Sequence, residues 1–146
     1  MTGVQTCALP ILERSLGDAV LRRLERLPQS ERTLVEAVAI AGNYAPRGMI
    51  EAIVERLVSE TEMALVKQSG LVVELRQQHF KDEREFALRR HELATVIAGG
   101  WSEDKLRSAH RRAARWLLAW KGPRPQGMGS LLAHCYMGAE IGRAHV

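Results

Sequence analysis

Apolar residues recur at every third or fourth position over most of this chain. Leu16, Val20, Leu24 and Leu27 fall at that spacing with arginines between them, which predicts a helix from Leu12 to Leu27 that Pro28 ends. Ser30, whose hydroxyl suits a free backbone N–H, is the expected N-cap of a second helix running to Ala41, with Leu34, Val35, Val38 and Ala41 on its apolar face. Gly42-Asn43 supplies the stop. Pro46 suits the first turn of a third helix, lined on its inner side by Met49, Ile50, Ile53, Val54 and Leu57. Ser59 is positioned to cap a short fourth helix, with Met63, Leu65 and Val66 as candidate core residues and Gly70 closing it.

The period then changes. Leu71 to Leu75 is short and β-branched, and reads as a strand. Glu85 to Arg89 is its expected partner, across a polar loop from Gln77 to Glu83. Helical spacing returns from His91 to Ala98 and stops at Gly99-Gly100. Ser102 is the expected cap of a long helix, where Glu103 and Asp104 suit the positive end of the dipole. Leu106, Ala109, Ala113, Trp116, Leu117 and Trp120 form its stripe. A Pro/Gly-rich break follows from Gly122 to Gly129, then another helix from Ser130 to Ala139. A helix ending there leaves apolar surface open, and the segment after Gly122 is expected to be loosely held.

The pattern predicts a mostly α chain. A linking helix occupies residues 12–29. A winged-helix module of three helices plus a β-hairpin occupies 30–98. The start of an antiparallel helical repeat array occupies 101–139.

Both ends fall outside that pattern. The last seven residues can be coded GAG ATC GGA AGA GCA CAC GTC. The reverse complement, entered one base in, reads ACG TGT GCT CTT CCG ATC, which translates to Thr6 through Ile11. Residues 1–11 and 140–146 therefore resemble an inverted repeat of one oligonucleotide, similar to a common short-read sequencing adapter. The expectation is an internal piece of a larger helical protein, flanked by non-native residues that take no part in the fold. Met1 to Ile11 contains no Lys or Arg, which a secretion signal would need.

Composition changes this picture little. Twenty-one Lys and Arg stand against 17 Asp and Glu. That modest excess lies along helix faces, where solvation accounts for it as well as nucleic acid does. No apolar run reaches the roughly eighteen residues of a membrane helix. With Cys7 assigned to the adapter, Cys135 is the one thiol left, which suits a reducing cytoplasm. His134 beside it lacks further metal ligands at suitable spacing.

A set of ordered segments carries a family resemblance. Leu24-Glu25-Arg26-Leu27-Pro28, then Glu31 to Ala37 and Ala39-Ile40-Ala41-Gly42, is similar to the opening of the winged-helix segment in bacterial STAND-type (AAA+/NLR-like) regulatory ATPases. Leu65-Val66 with Ser69-Gly70-Leu71-Val72 resembles their turn into the wing. Phe86, Leu88 and Arg90-His91-Glu92-Leu93 resemble their F-x-x-H-D-L signature, with Glu92 in place of Asp. His110-Arg111 with Ala113-Ala114 is similar to the helix that follows, and Leu132-Ala133-His134 with Gly138-Ala139-Glu140 looks like the start of their tetratricopeptide-like repeats. Gly99-Gly100 departs from the family, which usually carries a tyrosine there.

His91 resembles the histidine of the M-H-D motif. The resemblance implies that it contacts the phosphate of ADP held by a nucleotide-binding domain absent from this chain, an imidazole N–H being a suitable donor. A cap or wing-packing role is the alternative. The chain has no G-x-x-x-x-G-K-[ST] loop and no nucleophile–base set with a supporting signature, so no catalytic residue is expected. The glutamates read as i to i+4 partners of helix arginines. Trp101, Trp116 and Trp120 read as core rather than as a base-stacking platform. Arg107, Arg111, Arg112 and Arg115 read as a solvated face or a domain interface. The fourth helix, at the recognition position of a DNA reader, offers Glu60, Glu62, Lys67 and Gln68, and its carboxylates argue against DNA.

The resemblance thus implies a non-catalytic, cytoplasmic relay. It would couple the missing nucleotide-binding domain, with its ATP or ADP and Mg, to helical repeats, with protein partners and no metal of its own. The alternative is a stand-alone winged-helix DNA-binding transcriptional regulator.

Overall fold

The structure, a computed structural model, describes residues 16–42 and 44–140. Residues 1–15, Asn43 and 141–146 lie outside the described residues, and with them nearly all of the expected adapter and the start of the linking helix.

Helix α1 covers residues 16–26. Helix α2 spans Gln29–Ala41 and begins on Pro28, whose carbonyl accepts the Arg32 amide at 2.9 Å. Ser30 is therefore not the cap. It lies inside the first turn, and its hydroxyl donates to the Glu31 carboxylate instead. From Leu34 to Ala41 every residue of α2 is buried, not one face alone. Such a helix must be enclosed on all sides, and the helices and the sheet that follow it in the chain surround it.

A two-residue strand β1, Ala45–Pro46, precedes α3 (Arg47–Val54). Glu55 ends α3 in the left-handed conformation at φ 60°. Leu57 consequently leaves the helix and is 85 % exposed, while Met49, Ile50 and Ile53 fill the core as expected. Helix α4, Glu60–Gln68, starts on the expected Ser59. Its hydroxyl accepts the Glu62 amide, and the Glu62 carboxylate accepts the Ser59 amide, a full capping box. Met63 and Val66 are buried. Leu65, about 100° round the helix from Val66, points outward.

Gly70, at φ +78°, turns the chain into β2 (Val72–Glu74). The expected hairpin forms with β3 (Glu85–Leu88), pairing Val72 with Leu88 and Glu74 with Phe86. On its other side β3 pairs with β1, giving the antiparallel order β1-β3-β2. Helix, strand, helix, helix, strand, strand is winged-helix topology, with one strand more than the sequence predicts.

The expected helix after the wing divides into a 3₁₀ turn, His91–Leu93, and α5, Ala94–Ala98. Helix α6, Glu103–Ala119, is capped by the Ser102 hydroxyl as expected. Helix α7, Met128–Glu140, returns along α6, so that Gly138 meets His110 in the middle of α6. The segment after Gly122 is thus packed rather than loose: Met128, Leu131, Cys135 and Ala139 are buried on one stripe of α7. On its far side Tyr136 and Met137 are exposed, as is Leu118 of α6, the open apolar surface expected of the hairpin. No helix of the described residues is long and apolar enough to cross a membrane.

Candidate regulatory surface

Three places on this frame bear on function: the His91 turn, the outer face of α4, and the junction of the wing with α6 and α7.

His91 opens the 3₁₀ turn directly after Arg89 and Arg90. Its side chain is 77 % exposed, with the Glu92 carboxylate 3.9 Å from its ring. It caps no helix and does not pack beside the wing. Only one 3₁₀ turn and the five residues of α5 follow it. That is too short to contribute much potential.

The face of α4 is closed by charge pairing. Glu60, at the start of α4, accepts from both Arg47 of α3 and Arg84 of the wing. Arg84 also forks onto Glu74 of β2 at 2.7 and 3.1 Å, and Lys67 of α4 reaches Glu74 at 3.0 Å. The Arg84 guanidinium, with help from Lys67, holds the Glu74 carboxyl down at about 2. The stabilisation from Glu74 is therefore complete above the ordinary carboxylate range and is lost only as pH falls toward 2. These glutamates pair across elements rather than along one helix, contrary to the i to i+4 expectation. Arg47, Arg84 and Lys67 on this surface are all engaged in ion pairs.

The wing is fastened to α6. Phe80, fully buried, sits edge-on to Trp116 at 5.3 Å and to Trp120 at 5.2 Å between ring centres. Tyr44 stacks on His79 at 4.3 Å, on the other side of the same loop. Under the loop lies Glu85, whose carboxylate is fully buried. It accepts the backbone N–H of His79, that of Phe80 at 2.8 Å, and the His79 ring at 2.7 Å. Helix α3 approaches α6 as closely: a Cβ on Gly48 would lie 2.7 Å from Trp116 Nε1. Arg112 of α6 adds two hydrogen bonds to the Ile53 carbonyl, at 3.0 and 2.7 Å, across the same interface. Trp101 is buried too, donating to the Glu36 carboxylate at 2.7 Å. Trp101 is thus a core residue, Trp116 and Trp120 are partly buried and pack against the core, and Arg112 joins α6 to α3. Burial raises the Glu36 pKa.

Sequence reading missed Phe80, Glu85 and Glu36. A signal existed for one of them: Phe80 is the single apolar residue between Gln77 and Glu83. Neither glutamate stands out, because nothing local marks a carboxylate that tertiary packing will cover.

The α6–α7 junction carries a histidine pair. His110 Nδ1 lies 2.9 Å from the Leu106 carbonyl and His134 Nε2 lies 2.8 Å from the Ile40 carbonyl, with ring centres 5.3 Å apart. Burial, and secondarily His134, lower the His110 pKa from its ordinary 6.5. An unfolded chain restores the ordinary value and so binds more protons as the solution acidifies. The stability gained from His110 is complete above pH 6.5 and is lost as pH falls through its depressed folded value. Urea midpoints are therefore expected to fall between about pH 7 and about pH 5, and to fall less in His110→Gln. Equal falls in both proteins would clear His110 as the cause.

Beside His134, Cys135 is buried and its thiol is pushed up to about 11. Among the described residues no three His, Cys, Asp or Glu side chains are grouped to hold a metal ion. No protein-family model, curated protein or solved structure matches this chain.

Proposed function

We propose that this chain is the winged-helix relay of a larger STAND-type signalling ATPase, running into tetratricopeptide-like repeats and flanked by adapter-derived residues 1–11 and 140–146. The nucleotide, ATP or ADP with Mg, belongs to a domain upstream of it. The relay works in the cytoplasm by contact with that domain and with protein partners.

The observation that carries this reading is the fastening of the wing to the helical hairpin through Phe80, Trp116 and Trp120. A relay must transmit a displacement between two neighbours, and only a rigid body does so without losing it internally. The exposed His91 side chain stands free on that body to meet another domain. The pairing of Arg47, Arg84 and Lys67 favours protein contact over DNA at α4.

Recovery of the genomic frame on both sides is the direct test. A P-loop and an acidic Mg-binding strand upstream in frame would support the relay. A frame that starts near Leu12 and stops soon after Ala139 would overturn it. In the full-length protein His91→Ala is expected to weaken ADP retention and raise basal activity several-fold, the size of a typical allosteric coupling of about 1–3 kcal/mol. Unchanged ADP retention would remove the phosphate contact.

Winged-helix topology itself favours a second reading, a stand-alone DNA-binding regulator. That reading requires salt-dependent duplex binding. Absence of any gel retardation at low salt would dispose of it.

A further inference from the structure

Between α1 and the winged-helix body runs a cleft of about 300 Å³. Its walls are aliphatic: Leu16 and Val20 from α1, Leu71 from the start of the wing, and Leu93 and Ile97 from the segment after it. Its polar lining is cationic, with Arg23, Arg89 and Arg90 around it and no carboxylate among the described residues that line it. We propose that this cleft binds a medium-chain aliphatic carboxylate.

Two of the arginines meet at Gly70. Arg89 Nε donates to the Gly70 carbonyl at 3.0 Å, which fixes its guanidinium at the cleft wall. Arg23 Nη1 lies 3.7 Å from the position a Gly70 Cβ would take. Two like charges thus flank a bare glycine, and no described acidic side chain bridges them. The third cation, Arg90, lies 3.9 Å from the Glu92 carboxylate, its closest acidic partner among the described residues. Like charges held together over apolar walls raise the local potential and favour an anion. The planar fork of arginine matches a carboxylate with two parallel hydrogen bonds.

The rest of the cleft selects the body of the ligand. It lies at the lower limit of small-molecule pockets, which begin near 300 Å³. No aromatic side chain lines it, so a purine would find nothing to stack on. A flexible alkyl chain of roughly eight to twelve carbons suits branched aliphatic walls, each buried methylene adding favourable transfer energy. Because α1 supplies one wall and the winged-helix body the other, such a ligand would hold the two together. The inference does not depend on the relay reading.

The test is a titration of the full chain with decanoate below its micelle-forming concentration, followed by calorimetry and by methyl NMR. Decanol and decyltrimethylammonium serve as the neutral and cationic controls. Saturable one-to-one binding of decanoate is expected, with shifts confined to the methyls that line the cleft, those of Leu16, Val20, Leu71, Leu93 and Ile97. Decanol should bind at least about tenfold more weakly, since a hydrogen bond to charge contributes more than about 1.5 kcal/mol. Arg23→Gln and Arg89→Gln should each weaken decanoate about tenfold. Val20→Trp, which fills the space and keeps the charges, should abolish binding. Equal affinity for decanol, shifts scattered over the surface, or binding unchanged by Val20→Trp would each overturn the proposal. So would capture of an acidic peptide where decanoate does not bind, which would make the cleft a protein-docking groove.

Discussion

Replacement of Phe80 by alanine is expected to destabilise the fold by about 3–5 kcal/mol, the usual cost of emptying a large aromatic site. Phe80 lies in a turn, where substitutions usually cost little. Here the ring is fully buried and makes edge contacts with two indoles, with the Tyr44 ring a further 6.3 Å away. Trp116 is carried by α6, Trp120 is the residue that ends it, and Tyr44 directly precedes β1, so little can move in to fill the void. Urea unfolding followed by far-UV circular dichroism measures the loss, and a change below about 1 kcal/mol would show that the loop is not fastened there. In a full-length relay the same substitution should uncouple wing from hairpin, leaving nucleotide binding intact while reducing the downstream response.

Glu85→Leu is expected to cost about 3–5 kcal/mol, comparable to breaking a buried ion pair. The carboxylate is the acceptor for two consecutive backbone amides, His79 and Phe80, and for the His79 ring. Leucine fills the volume but leaves those donors unpaired in a buried place, at about 1–3 kcal/mol each. Glu85→Gln keeps one oxygen and should fall between the two proteins. Because Glu85 shapes the loop that presents Phe80, the double substitution should cost less than the sum of the single ones. Strict additivity, or a Leu variant as stable as wild type, would mean that water replaces the carboxylate.

The sequence was most legible where local rules and tertiary structure agree. Ser59 and Ser102 cap their helices because their hydroxyls meet a free N–H wherever the helix packs. The strand pair was legible because its β-branched run interrupts a helical period. Strand β1 was not, since two residues carry no period and Pro46 has no N–H to donate. Its strand character comes from pairing with Phe86 and Glu85, far along the chain. Leu57 and Leu65 were assigned inward by composition, but the left-handed Glu55 ends α3 before Leu57, and Leu65 falls off the buried stripe. Of the site, helical spacing sets His91 at the start of a helix, whereas the chain forms a 3₁₀ turn there ahead of α5. The fastening of the wing was hidden, because the burial of Phe80 depends on indoles some forty residues away, and that of Glu85 on a loop folded over it.

The middle strand of the sheet is the last of the three in the chain. Strands β1 and β2 touch β3 and not each other, so neither has a hydrogen-bond partner until Glu85–Leu88 exists. During synthesis both outer strands leave the ribosome with unpaired edges and wait for the segment between them. The closing step spans the loop from Ala45 to Phe86, a non-local contact of the kind that slows folding. Helix α6 follows still later with the indoles that clamp Phe80. A nascent chain stopped short of Glu85 therefore holds a helical trio with two open edges, the form of this protein most exposed to aggregation.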